Sequence, residues 1–237
     1  MEALIDVCNL RYRYADGTEA LRGVDFQLFS GETVALFGAN GSGKTTFVLH
    51  LNGLLKGDGT VRVCGLAVTK ENLPEIRRRL GLVFQDPDEQ LFMPTVLEDV
   101  SFGPLNLGRE PAEAVRAART ALEQVGMMEA LEKAPYHLSA GEKRRVALAG
   151  VLAMEPEILV LDEPTTYLDP PGQRDLAALL RQLPQAKILV THDAAFARAL
   201  ASRAVFFENG RIVGEGSVDE IVREHGWEGL GGPPERS

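Results

Sequence analysis

Residues 38–45 read GANGSGKT, a glycine-rich run that ends in a lysine and a hydroxyl. The spacing G-x-x-x-x-G-K-[ST] suits one chemistry, the holding of a chain of phosphates. Gly38, Gly41 and Gly43 permit positive φ and close approach, so that the N–H groups of this loop (Ala39, Asn40 and Ser42 included) can point at phosphate oxygens. Lys44 would reach the β- and γ-phosphates, and Thr45, followed by Thr46, would place its hydroxyl on Mg²⁺. A loop of this kind needs an acidic partner for the metal. Residues 158–163, ILVLDE, deliver Asp162 at the carboxyl end of an apolar strand, with Glu163 next to it to polarise an attacking water. A third apolar run, ILVTH, ends at His192. Alone, such a histidine reads as a structural hydrogen-bonding group; beside the other two motifs it is a candidate sensor of the γ-phosphate.

A second anion-holding pattern lies about 100 residues later. In HLSAGEKRRVALAG (137–150), Ser139 stands at an N-cap position and Glu142 completes an S-x-x-E capping box. Lys143, Arg144 and Arg145 follow in the first turn, where cations oppose the positive end of the helix dipole. Ser-x-Gly at a helix start, with cations beside it, is a place to hold an anion.

The elements that position these residues alternate between strand and helix. Residues 3–14 and 33–38 read as strands, 44–55 as a helix, GDG at 57–59 as a hairpin-type turn, and 80–85 as a strand halted by DPD. From about 90 to 150 the pattern is helical, with Pro111 at a first helical position and Val115, Ala118, Leu122 and Val125 forming one apolar stripe. Residues 158–161 and 188–190 are short continuous apolar runs suited to parallel strands buried on both faces. Residues 204–208 and 211–213 flank Asn209-Gly210 as a terminal hairpin. The expectation is an α/β domain over 1–224 with a helical lobe inserted at 90–150, and a flexible tail over 225–237.

The 237 residues are 45% hydrophobic and 25% charged, ordinary for a globular chain with a sizeable core. A net charge of −9 argues against a general nucleic-acid binder. Cys8 and Cys64 have no C-x-x-C spacing and are expected as reduced, partly buried thiols. His50, His137 and His225 form no metal cluster with them. No run of 18 apolar residues occurs and no export signal is expected.

Taken together, these motifs resemble the ABC-type ATPase domains over nearly the whole chain. The resemblance implies a P-loop NTPase core with a RecA-like, mostly parallel sheet, an antiparallel β subdomain and an inserted α-helical subdomain. GANGSGKT is similar to the Walker A loop, ILVLDE to the Walker B strand with its catalytic Glu163, and LSAGE (138–142) to the LSGGQ signature. Gln85 then stands as the Q-loop residue that touches Mg²⁺, with Asp162 reaching the metal through water. Leu168 and Asp169 fall in the D-loop and His192 at the H-loop switch. Tyr14 sits where the family stacks an aromatic on adenine; Tyr12 shares its strand face. Two such domains stack head to tail, so Ser139, Ala140, Gly141 and Glu142 would cap ATP held by a second ABC ATPase domain, alike or unlike. Hydrolysis would be phosphoryl transfer to water, with ATP and Mg²⁺ bound. Ala140 and Glu142 replace the family's usual Gly and Gln; Arg144 and Arg145 are placed to offset the added charge. Tyr167 is bulkier than its usual counterpart.

DPDEQLFMPTVLEDVSFGPLNLG, after Gln85, resembles the ATPases of energy-coupling factor importers, most of all the cobalt/nickel-uptake type. Members often carry a longer C-terminal dimerisation region, a contact not expected here. That resemblance implies a peripheral subunit on the cytoplasmic face of the cell membrane that drives a transmembrane coupling subunit and touches neither cargo nor nucleic acid. Leu91, Phe92, Met93 and Val96 either line a groove for a helix of that subunit or pack the helical lobe. P-loop kinases have no use for LSAGE or YLDP, and chromosome-maintenance ATPases need coiled-coil arms. A soluble, non-transport ABC ATPase and an importer of a vitamin or other small solute stand as alternatives.

Overall fold

The computed structural model describes residues 3–227. In chain order the elements are β1 (Ala3–Arg13), β2 (Glu19–Phe29), β3 (Thr33–Phe37), α1 (Lys44–Leu51), β4 (Asp58–Val63), β5 (Leu66–Ala67), α2 (Leu73–Arg79) and β6 (Leu80–Val83). Three helices follow, α3 (Val96–Asn106), α4 (Pro111–Gln124) and α5 (Ala140–Leu152). The remainder is β7 (Ile158–Asp162), α6 (Pro170–Gln182), β8 (Ala186–Val190), α7 (Ala194–Leu200), β9 (Arg203–Glu208), β10 (Arg211–Gly216) and α8 (Val218–Glu224).

Two sheets result. A four-stranded sheet has the order β2-β1-β4-β5, with every pairing antiparallel. A six-stranded sheet has the order β10-β9-β3-β8-β7-β6, parallel except for the β9–β10 hairpin. The central strands β7 and β8 are buried along their whole length, as the continuous apolar runs require. Their period of two splits them between separate cores. Ile158 and Val160 of β7 face the antiparallel sheet and α1, whereas Leu159 and Leu161 face the helical lobe. Val34 and Leu36 of β3 join the first core, and Ala35 and Phe37 pack against α7 and α8.

The structure departs from the sequence reading in several places. Helix α1 stops at Leu51, not 55, because Asn52-Gly53 closes it with Gly53 at φ 69°. GDG makes no hairpin turn: Asp58 and Gly59 already belong to β4, and Asp58 pairs with Arg11 of β1. On α4 the core side is Ala114, Ala118, Ala121 and Leu122, and Val115 is half-buried, so the stripe is rotated toward Ala114. Both thiols are free, but Cys8 is exposed rather than partly buried. The loose tail does not begin at 225, since the His225 ring stacks on Phe206 at 3.9 Å and Trp227 meets the same ring edge-on. The rest of that expected tail, from residue 228, lies outside the described residues.

Gly81 in β6 lies directly against Val151 of α5, where a Cβ would collide with the stiff Val side chain. Gly81→Ala is expected to lower stability by about 1–3 kcal/mol, read from a urea unfolding midpoint with an unchanged slope.

Candidate functional site

Parallel register brings the chemistry to one edge of the sheet. Leu36 pairs with Val190, and Val190 with Asp162, so the loop after β3, the end of β7 and the turn after β8 emerge side by side. Val83 pairs with Leu161, which puts Gln85 just beyond the same edge. The cleft formed there has a volume of about 530 Å³ and is lined by Asn40, Gly41, Gly43–Thr46, Gln85, Asp162, Glu163 and His192, among others.

Gly43 precedes α1 at φ 111°, and a Cβ there would meet the Ala20 carbonyl at 2.7 Å, so the loop needs glycine at that point. Lys44 is buried, and its Nζ donates to the carbonyls of Gly38 (2.6 Å) and Ala39 (3.0 Å). Burial pushes the Lys44 pKa down, opposed by the nearby Glu163 and Asp162. Ser42 Oγ is buried with no partner, an orphaned donor within the loop. Thr45 Oγ1 donates to Asp162 Oδ2 at 3.0 Å. Burial raises the Asp162 pKa above the usual carboxylate range, with the Thr45 bond pulling it down.

Glu163 sits at φ 43°, uncommon for a residue with a side chain, and its N–H donates to the Val190 carbonyl at 2.8 Å. Its Oε2 lies 2.8 Å from His192 Nδ1. An ionised carboxylate only accepts, so Nδ1 carries the hydrogen and Nε2 is the nitrogen left for a ligand. The imidazole is 68% exposed and the carboxylate 12%, so the histidine faces the open cleft from above a sheltered carboxylate.

The two tyrosines separate clearly. Tyr14 lines the cleft and its OH bonds Thr46 Oγ1 at 2.9 Å. Tyr12 turns into the core, edge-on to Tyr14 and to buried His50. Sequence reading missed the far wall of the cleft, Thr18–Ala20 with Arg22, and did not place the Asn209-Gly210 hairpin turn there. No motif marks the former; both arrive because the β1–β2 turn folds over the loop and Gly210 N–H donates to the Ser42 carbonyl.

The signature and D-loop residues do not line this cleft. Ser139 caps α5 as the spacing predicts. Its Oγ accepts from Glu142 N–H at 3.3 Å, while Glu142 Oε2 accepts from both the N–H and the hydroxyl of Ser139 at 2.8 Å. Those two donors hold the Glu142 pKa below its usual value. Ala140 takes the first helical position without strain. Gly141 faces Leu168, with 3.6 Å between its Cβ direction and the leucine side chain, so signature and D-loop are neighbours. Asp169 caps α6 by accepting from Gly172 N–H. Tyr167 is exposed at φ 65°. One expectation fails: Arg144 does not offset Glu142. Its guanidinium turns inward to backbone carbonyls, and the cations acting on Glu142 are Lys133 and Arg145.

On the far side of α5, a groove of about 740 Å³ is lined by Leu73, Leu82, Phe84, Leu91, Phe92 and Phe102, with others. Leu91 and Phe92 therefore line it, whereas Val96 is buried in the helical lobe. Asp99, which sequence reading did not single out, accepts from Phe92 and Met93 N–H at 3.1 Å each and so shapes the groove's lip.

Comparison with known proteins gives a consistent set of likenesses. The family model described as "ABC transporter" matches residues 21–166. An ABC transporter ATP-binding protein of Streptomyces coelicolor is 54% identical over 94% of this chain and 88% of its own length. The energy-coupling factor transporter ATP-binding protein EcfA of Methanosphaera stadtmanae is 44% identical over 94% of this chain and 83% of its own. Among solved structures, cbiO1 of Clostridium perfringens, part of the ABC transporter complex cbiONQ, superposes with a TM-score of 0.85 at 36% identity, over 94% of this chain and 92% of that one. A dimeric ATP-binding cassette, MJ0796 bound to ADP and Pi, gives 0.81 at 28% identity over 90% and 98%.

The raised pKa of Asp162 makes a stability prediction. The stability that protonated Asp162 contributes at low pH is lost as pH rises through its folded-state value, leaving a buried charge. Asp162→Asn, which still accepts from Thr45, is expected to stabilise the nucleotide-free chain at neutral pH, within the roughly 0.5–2 kcal/mol usual for single stabilising substitutions. Denaturant titrations across pH should show that gain shrinking as the pH is lowered into the range where Asp162 takes up a proton.

Proposed function

The chain belongs to the ABC transporter family, as an ATP-hydrolysing subunit of the energy-coupling factor type, and from this we propose that it powers a membrane importer whose cargo is cobalt or nickel. The observation that carries the reading is the meeting, at one sheet edge, of Lys44, the Thr45–Asp162 pair, the Glu163–His192 pair and Gln85.

The loop of Gly38–Thr46 binds the triphosphate, and Lys44 exchanges its loop carbonyls for β- and γ-phosphate oxygens. Tyr14 stacks on the adenine. A hydroxyl, a carboxylate and an amide oxygen converging in the cleft form a hard-oxygen donor set suited to Mg²⁺. Thr45 and Gln85 would hold the metal, with Asp162 acting on it through water, and a bound Mg²⁺ would supply charge neutralisation to the phosphates. Glu163 polarises the attacking water, its carboxylate oriented by His192 Nδ1–H. His192 Nε2 serves the γ-phosphate.

Dimerisation follows from what the cleft lacks. Ser139–Glu142 and Leu168–Asp169 lie next to each other yet outside the chain's own nucleotide site. They serve a second ABC ATPase domain's ATP, as the dimeric arrangement of a similar cassette supports. The groove of Leu91 and Phe92 takes a helix of the transmembrane subunit. No helix among the described residues is long and apolar enough to cross a membrane. The chain then sits at the cytoplasmic face through that partner and never meets the cargo. The cobalt or nickel assignment draws on the likeness to cbiO1, itself part of cbiONQ.

Glu163→Gln is expected to keep ATP binding and lower turnover by about a hundredfold or more, by phosphate release against nucleotide titration. Turnover near wild type would remove Glu163 from the role. Native mass spectrometry with metal analysis on mild-detergent extracts tests the assembly: two ATPase domains with a transmembrane subunit and cobalt or nickel support the reading. A vitamin cargo would redirect it, and no membrane protein at all would favour a soluble ABC ATPase. In the same extracts Phe92→Asp, at an exposed groove residue, should release the membrane subunit while ATP binding stays within about twofold.

A further inference from the structure

Arg144 is the most deeply buried arginine of the described chain, at 2% exposure, and it is spent on backbone. Nη1 donates to the Phe84 carbonyl at 2.9 Å, and Nη2 to the carbonyls of Gln85 at 2.7 Å and Thr166 at 3.3 Å. Its Nε is buried and unpartnered. Each partner belongs to a different working part. Phe84 lines the apolar groove and Gln85 the nucleotide cleft. Thr166 leads into Tyr167 and the Leu168–Asp169 segment, and Arg144 itself rides the helix that Ser139 caps.

Both Phe84 and Gln85 follow the end of β6, where the parallel ladder no longer holds the backbone. The guanidinium takes the ladder's place. Hydrogen bonds from a cation are stronger than neutral ones, and a fork of planar donors fixes direction as well as distance. Displacing Gln85 from α5 would strand a buried cation, which is costly when its donors go unmet. The Gln85 backbone and the signature helix are therefore held as one piece, with the groove wall attached.

We propose that Arg144 is a positioning residue for ATP hydrolysis: it holds Gln85 in the nucleotide cleft and makes α5, with its Ser139 turn, move together with Gln85. The inference rests on the reading of Gln85 as a nucleotide-site residue given above. A plain structural strut would carry the same bonds without acting through Gln85, and the two are separable.

The experiment is a double-mutant cycle on the full chain: wild type, Arg144→Met, Gln85→Ala and the pair, with steady-state ATP hydrolysis read as kcat and KM separately. Arg144→Met is expected to lower kcat about tenfold with KM for ATP within about threefold, and to cost less than about twofold further when Gln85 is already Ala. Arg144→Lys, which keeps the charge and can reach one or two carbonyls, should restore part of that loss, leaving kcat down by about threefold. If the Met variant fails to fold, Arg144→Lys carries the test alone, with a kcat loss of about threefold that vanishes in the Gln85→Ala background. Equal losses in both backgrounds, a Lys variant no better than Met, or no loss at all would overturn the proposal. Such a result beside an inactive Glu163→Gln leaves the nucleotide-site reading standing; an active Glu163→Gln takes down that reading and this inference with it.

Discussion

Val190 of β8 pairs with Leu36 of β3 on one side and with Asp162 of β7 on the other. A slip of one residue in either pairing would turn the strand's core residues toward the wrong layer. That penalty is severe here because each strand feeds two cores, with Ile158 and Val160 on one side and Leu159 and Leu161 on the other. Burial on both faces thus fixes the register, and the register fixes the distance between Thr45 and Asp162. Thr45 of the glycine-rich loop is 117 residues from Asp162, and Glu163 is 29 from His192; the packed parallel ladder sets them in reach of one another.

Much of the site was legible in the sequence because its residues are declared locally. GANGSGKT, ILVLDE and ILVTH each carry their own strand, and a short apolar run needs no tertiary knowledge to be read as buried. Asn209-Gly210 has the positive φ angles, 49° and 76°, that its hairpin demands. The capping box of Ser139 and Glu142 closes within four residues and forms as spelled. What failed was whatever depended on a neighbour from elsewhere. The GDG run looks like a turn, and its Asp58 and Gly59 are instead drawn into β4 against β1. Val115 and Ala114 compete for the core side of α4, and the lobe's packing chose the smaller residue. Strand β2, α2 and the helices after β7 carried no assignment, although α6 buries Leu176, Ala177 and Leu180 at helical spacing. Nothing local says which of three adjacent cations turns inward, so Arg144 could not be told from Lys143 and Arg145.

The buried charges tell a related story. Lys44, Asp162 and Arg144 are each nearly inaccessible, and burial shifts each toward its neutral form. A fold optimised for stability alone would replace them with apolar groups. They persist at the one edge where strand ends leave backbone groups unpaired, and their hydrogen-bond partners there are carbonyls and a hydroxyl. Stability conceded in the empty protein is the counterpart of a cleft already charged and oriented before any ligand arrives.

The Ser139–Glu142 box has a bearing on selectivity. Its hydroxyl hydrogen and its N–H are both engaged by a carboxylate of the same turn. Any external anion seeking that hydroxyl competes with a tethered rival whose effective concentration is far above that of free phosphate in solution. A stray monovalent or weakly held anion loses that contest. Only an acceptor presented rigidly and at close range, on a surface that docks as a whole, can win the hydrogen from Glu142. The turn is consequently deaf to solutes and answers to surfaces.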